Sequence, residues 1–286
     1  MTVTEVEAIE TFPCFGGTVT VIVMGAGPAG PPTAAAASVR RRLEDWHTQF
    51  SRFEPDSELS RLNADDRETV PVSQVMARLI EAVLLAARES GGLVDATLTR
   101  EIEAAGYSEH FDAPSLPLSQ ALALAPPRAA GGPSVGGRWR EVVLDRDAGT
   151  VTRPPGLSFD SGGLAKGLFG DILAGLLDGH ASFALDCAGD VRLGGSGGAV
   201  ATSGIGRRSW LDAAGRPAHH LLDPASGLPA YTGIVQVTAI APSGVEAEWR
   251  AKAALLAGPG RERKWLPHGG LVVYDDARFE LVAAAR

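Results

Sequence analysis

The stretch Leu157 to Gly179, LSFDSGGLAKGLFGDILAGLLDG, reads as a short strand, a glycine-containing turn and a helix. Working outward, FALDCAGDVRLGG, AVATSGIGRRSW, HHLLDPASGLPA, the strand IVQVTAIA, the helix VEAEWRAKAALLAG and the strand LVVYDD follow it. Before it, EVVLD, a turn from Arg146 to Gly149 and a short TV strand predict a hairpin. Further upstream, GGTVTVIVM (Gly16 to Met24) reads as a strand and AAAASVRRRLEDWHTQF as a helix, with Val39, Leu43, Trp46 and Phe50 three or four apart. In SRFEPDSELSRLN a Pro-Asp turn precedes the cap pattern Asp56-Ser57 and a short helical turn. VSQVMARLIEAVLLAARES is an amphipathic helix closed by Gly91-Gly92. Hairpins among interleaved strands and helices predict an α+β fold, mixed sheets packed against helices, rather than a doubly wound parallel sheet. Residues 1–286 are read as one domain, with a Pro-, Gly- and Ala-rich connection near 110–140 that is assigned no function.

The composition sets the function classes. A chain of 286 residues with 45% apolar and 21% charged residues can bury a sizeable core. Its net charge of −8 disfavours a nucleic-acid partner. Cys14 and Cys187 are too few for a disulfide framework and form no CxxC pair, which fits a reducing compartment. The acidic start MTVTEVEAIETFPCF has no secretion signal, and GAGPAGPP breaks the uncharged run that follows, so a cytoplasmic protein without a membrane anchor is expected.

Three motifs could carry chemistry. GAGPAG, Gly25 to Gly30, lies between a strand and a helix as a dinucleotide fingerprint would, but Pro31 and Pro32 remove two amide donors from the turn facing a pyrophosphate. In Asp160-Ser161-Gly162-Gly163-Leu164-Ala165-Lys166-Gly167, free amides and one ammonium near a helix start suit a phosphate; a plain turn beside a solvated lysine is equally open. In His219-His220-Leu221-Leu222-Asp223-Pro224, a histidine near a carboxylate could act as a general base, or the aspartate could merely cap the turn.

Seven segments, SRFEPDSELSRLN, GLVDATL, FDSGGLAKG, DCAGDVRLGG, VATSG, HHLLDPASGLP and AEWRAKAALLAG, occur in the order of motifs of the FAD:protein FMN transferase (ApbE-like) family, which the chain resembles from about Gly16 to its C-terminus. The resemblance implies an α+β fold of the family's own, FAD bound with a divalent cation, usually Mg²⁺, and transfer of FMN to a threonine or serine hydroxyl of a target flavoprotein, with AMP leaving. It implies that Asn63, Asp95 and Thr97 lie near the flavin nucleotide, that Asp160 and Lys166 contact FAD, and that Leu222 lines the flavin. His220 and Asp223 would supply the base and its orienter. Thr202, Ser203 and Gly204 would form a turn beside the site, and the Gly163 carbonyl would be a metal ligand.

The departures bear on activity. Where the family places Asp and, four residues on, Thr as metal ligands, this chain has Glu248 and Lys252. A carboxylate can ligate Mg²⁺; an ammonium has only donors and cannot. Lys252 is then either an i,i+4 partner of Glu248 or a cation standing in the metal's place at the FAD pyrophosphate, so Mg²⁺ is doubtful. Between DVRLGG and VATSG, where the family carries two further strands, only SGGA intervenes, and Gly16 replaces the methionine before Gly17-Thr18. Three readings follow: an FMN transferase, a flavin-nucleotide binding protein that has lost transfer, and a Rossmann-type oxidoreductase built on GAGPAG.

Overall fold

The computed structural model describes residues 6–109, 115–194 and 197–285. Eight strands form one sheet: β1 (Glu7–Cys14), β2 (Gly17–Met24), β3 (Ser182–Cys187), β4 (Val191–Leu193), β5 (Ala199–Gly204), β6 (Ile234–Ala241), β7 (Gly270–Tyr274) and β8 (Phe279–Val282). Their spatial order follows chain order, and every pairing is antiparallel. Alternation decides which face is inside: in β2, Val19, Val21 and Val23 are fully buried. The expected α+β class is what forms.

Helix α1 (Pro32–Phe50) packs on β1 and β2 through the predicted stripe of Val39, Leu43, Trp46 and Phe50. Ser57 accepts from the Ser60 amide and opens α2 (Glu58–Ala64); Ser73 does the same at Met76 for α3 (Gln74–Glu89). Two short helices, α4 (Thr99–Ala104) and α5 (Leu118–Leu124), come next, and α6 (Ala165–Leu177) and α7 (Gly244–Ala257) follow. The predicted EVVLD hairpin forms, Val143–Asp145 pairing with Thr150–Thr152.

Helix α7 lies on β5 and β6 and also packs on α6. The α6–α7 contact is so close that a Cβ on Gly167 would meet the Gly244 carbonyl oxygen at 2.4 Å, and one on Gly244 would meet that of Gly167 at 2.5 Å. Only a glycine pair permits this approach. Asp171 of α6 fastens it by accepting the Gly244 and Val245 amides at 2.7 and 3.0 Å, capping the start of α7. Lys166, Glu248 and Lys252 are thereby carried on two helices locked together at their first turns.

Part of the 110–140 connection, residues 110–114, lies outside the described residues. The remainder is tied down: the amides of Leu116, Ala129 and Gly131 donate to the carbonyls of Ser209, Tyr231 and Leu256. Between β4 and β5, residues 195–196 lie outside the described residues; on either side of them the Leu193 amide donates to the Gly198 carbonyl at 3.0 Å.

The dinucleotide reading of GAGPAG is corrected. The antiparallel sheet has no strand–helix–parallel-strand unit of the kind that motif serves. The loop closes on itself instead, Gly27 and Gly30 exchanging amide–carbonyl bonds at 3.1 and 2.9 Å. His180 seals it, its Nδ1 donating to the Gly25 carbonyl at 2.7 Å, and Pro31 at the N-cap of α1 contributes no amide.

Candidate functional site

At the opposite end of β2 from GAGPAG, a cavity of about 580 Å³ opens beside Phe15, Gly16, Trp46, Phe50, Tyr107 and Phe169. That volume suits a small-molecule ligand. Its apolar wall is an aromatic cluster: Trp46 stacks on Phe169 with centroids 4.9 Å apart, and Phe50 and Phe15 lie 5.4 and 5.6 Å from the same ring. The polar wall comes from Arg52, Asp160, Lys166, Arg208 and His220. A smaller cavity of about 80 Å³ lies beside Asp95, Asp160, Gly163, Leu222 and Lys252. His220 and Asp160 line both.

Asn63 clasps the backbone: its Nδ2 donates to the Phe159 carbonyl at 2.9 Å and its Oδ1 accepts the Phe159 amide at 2.8 Å. It therefore fixes the segment that carries Asp160. Asp160 in turn caps the glycine turn at the Gly162 amide and faces Arg52, whose Nε is 3.6 Å from its Oδ1. Thr97 donates its amide and hydroxyl to Asp95 Oδ1 at 2.8 and 2.7 Å. The other oxygen of Asp95 is buried without a protein partner, and burial pushes its carboxyl above the usual range against the pull of those bonds.

Lys166 and Lys252 belong to a buried quartet of charges. Lys166 Nζ sits 2.5 Å from Asp190 Oδ2. Burial works against its ammonium, but Asp190 and then Glu248 outweigh it and raise the pKa above the ordinary lysine value. Asp190 Oδ1 accepts the Thr202 amide at 3.1 Å. Glu248, 1% exposed, accepts the Gly167 amide at 2.9 Å and faces Lys252 Nζ at 3.1 Å. Burial raises the Glu248 carboxyl, with Lys252 pulling back.

The histidine pair divides sharply. His219, 0% exposed, donates from Nε2 to the Ala230 carbonyl and accepts the Leu221 amide at Nδ1. Burial lowers its pKa to about 4. His220 reaches both cavities, its Nδ1 buried without a partner. Burial, and then the neighbouring Arg208, hold its pKa well below the ordinary value, so the ring is neutral near pH 7. The expected pairing of His220 with Asp223 is not formed. Asp223 Oδ1 accepts the Gly132 and Ala225 amides at 2.8 and 3.1 Å, and its Oδ2 accepts the Ser226 hydroxyl at 2.7 Å. Asp223 thus builds its own turn and ties down the 130s connection, because three near donors of the Pro-Ala-Ser-Gly turn and that connection claim it.

Thr202, Ser203 and Gly204 lie along β5, outside both cavity linings; Thr202 contributes through its amide on Asp190, and its hydroxyl lies 2.9 Å from that of Thr238. Asp190, the counter-ion of Lys166, was not singled out in the sequence, although it stands inside the quoted DCAGDVRLGG. Arg52 was missed too. It is stacked over Phe53 and Tyr107 with its guanidinium carbon 4.3 and 4.7 Å from the ring centroids, and in the sequence it stands inside the quoted SRFEPDSELSRLN, beside Phe53.

Glu248, as it is paired, does not suit Mg²⁺. That ion takes about six oxygens in octahedral array. Among the described residues no group of three or more His, Cys, Asp or Glu side chains could hold a metal. Of the two expected ligands, Glu248 already has both oxygens engaged, one by an ammonium. No described helix is long and apolar enough to cross a membrane.

Residues 15–274 match the family model described as the ApbE family. The protein named FAD:protein FMN transferase of Treponema pallidum (strain Nichols) is 27% identical, over 81% of this chain and 73% of its own length. That of Escherichia coli (strain K12) is 22% identical, over 82% and 74%. Among solved structures, the ApbE protein of Thermotoga maritima superposes with a TM-score of 0.76 at 22% identity, covering 96% of both chains. The flavin transferase ApbE of Vibrio cholerae does so at 0.73 and 19%, covering 97% of both.

Proposed function

The chain belongs to the ApbE family, and from that premise we propose that it binds FAD and transfers FMN to a threonine or serine hydroxyl of a flavoprotein, releasing AMP. The curated relatives carry the name of that reaction. The observation that carries the reading is a pair of buried, unpartnered polar atoms, Asp95 Oδ2 and His220 Nδ1, on residues that line one small cavity. Buried polar atoms are almost always satisfied, so two orphans together call for a ligand with matching polar edges. A flavin ring supplies such edges, and the aromatic wall of the adjoining cavity suits the apolar rings of a dinucleotide.

In this reading, neutral His220 takes the proton of the acceptor hydroxyl. The oxygen attacks the FMN phosphorus, a new P–O bond forms, and the anhydride bond to AMP breaks. Lys166 and Lys252, one lining each cavity, would meet the charge that develops on the phosphoryl oxygens, and such fixed charges are the principal aid to phosphoryl transfer. No step passes through a metal. Incubation with FAD and a flavoprotein domain bearing a Thr/Ser acceptor is expected to add one FMN to that domain by intact mass. His220→Ala is expected to abolish the adduct while FAD stays bound; normal turnover in that variant would remove His220 from the reaction. The engaged Glu248–Lys252 pair favours a second reading, a flavin-nucleotide binding protein without transfer, which FAD binding without any adduct would establish.

A further inference from the structure

Building on the FAD reading, we infer that this chain holds the phosphates of its nucleotide without a divalent cation, the Lys252 ammonium acting as a built-in positive charge. Both Glu248 oxygens accept hydrogen bonds, whereas Asp190 Oδ2 has no hydrogen-bond partner and is held by its ion pair with Lys166 alone. Glu248 Oε1 faces Lys252 at 3.1 Å and Oε2 accepts the Gly167 amide at 2.9 Å; Asp190 Oδ2 faces Lys166 at 2.5 Å and Oδ1 accepts the Thr202 amide at 3.1 Å. A divalent ion at Glu248 would have to evict an ammonium whose side chain is 12% exposed, leaving it buried and unpaired.

The arrangement is also polarised. Lys166 lines the large cavity and Lys252 the small one, whereas Asp190 and Glu248 line neither. Within the quartet the two ammoniums therefore front the cavities and their two carboxylates lie behind them; of the other carboxylates, Asp160 lines both cavities, with Arg52 facing it, and Asp95 lines the small one. Lys252 is no mobile surface lysine: the i,i+4 pairing on α7 fixes it, and the Gly167–Gly244 contact fixes α7 against the turn that carries Lys166. A metal brings such charge from solution; here it is covalently part of the helix.

The test is FAD affinity, read by flavin fluorescence, in EDTA and in Mg²⁺, with riboflavin as the ligand that lacks phosphates. Wild type is expected to bind FAD equally in both buffers. Lys252→Met is expected to weaken FAD by about tenfold or more, the scale of one charge-assisted contact, with riboflavin unchanged. Because that change strands Glu248, the double variant E248Q/K252M is measured beside it, and Lys252→Arg is expected to retain affinity. Lys252→Thr, which restores an oxygen donor, is expected to lose FAD in EDTA and regain it with Mg²⁺. Wild-type binding that collapses in EDTA, or a folded E248Q/K252M variant that binds FAD as wild type does, overturns the inference while leaving the FAD reading intact. Absence of FAD binding in either buffer overturns the FAD reading itself.

Discussion

Two glycine-rich turns lead into helices in this protein, the first from a strand and the second from an extended segment where the sequence predicts a strand at Leu157, and they do opposite things. Gly25–Gly30 closes on itself, bonding Gly27 to Gly30 and packing against His180. Asp160–Gly167 lies open on two cavities and carries a lysine whose counter-ion, Asp190, comes from a different part of the chain. The first has the better-known glycine spacing and is structural. The lesson is that glycine spacing describes backbone freedom, whereas a site needs space and charges that the backbone does not consume. The adjacent histidines repeat the lesson on a smaller scale, since His219 spends both nitrogens on backbone and His220 leaves Nδ1 unspent.

The largest effect that would sharpen the contrast comes from Lys166→Met. It strands Asp190, whose side chain is 4% exposed, and is expected to cost about 3–5 kcal/mol in urea unfolding, together with loss of FAD affinity. Next is acid. The folded pKa of His219 lies below its unfolded value of 6.5, so the unfolded chain takes up the proton first; its contribution is complete above that pH and is lost as pH falls toward about 4. The urea midpoint should decline across that window by on the order of 3 kcal/mol in free energy, with the His219 ring resonance still neutral at pH 5.

Smaller still is Gly27→Ala. Its Cβ would come within 2.6 Å of the His180 ring, so a loss of about 1–3 kcal/mol is expected, with flavin affinity unchanged. A change in flavin affinity there would restore GAGPAG as part of the site. The smallest stability effect belongs to Gly163→Ala, where a Cβ meets nothing within 4 Å. Stability is expected to hold within about 0.5 kcal/mol, while FAD affinity falls because the new methyl group enters a cavity wall. Unchanged affinity there would separate the Asp160–Gly167 turn from the ligand.

By itself the sequence determined most of the longer elements and pointed to the family, although the strand expected at Leu157 does not form and β1, α4 and α5 were not read from it. Short-range physics sets the period-2 burial of β2, the Ser57 and Ser73 caps, the stripe on α1 and the Val143–Thr152 hairpin, and each is local in the chain. The ordered motifs also marked Lys166, His220, Glu248 and Lys252. Partnership was a matter for the tertiary structure. Asp223 looked like an orienter for His220 because it lies three residues away, yet its oxygens go to its own turn and to Gly132, 91 residues distant. Asp190 became the partner of Lys166 because the β3–β4 hairpin brings it back against the start of α6. Asn63 proved to be a clasp on Phe159, 96 residues on. A carboxylate binds whichever donors the fold delivers within about 3 Å, and over such separations the chain order does not specify them. Tertiary packing alone decided that the two lysines face the cavities with their carboxylates behind.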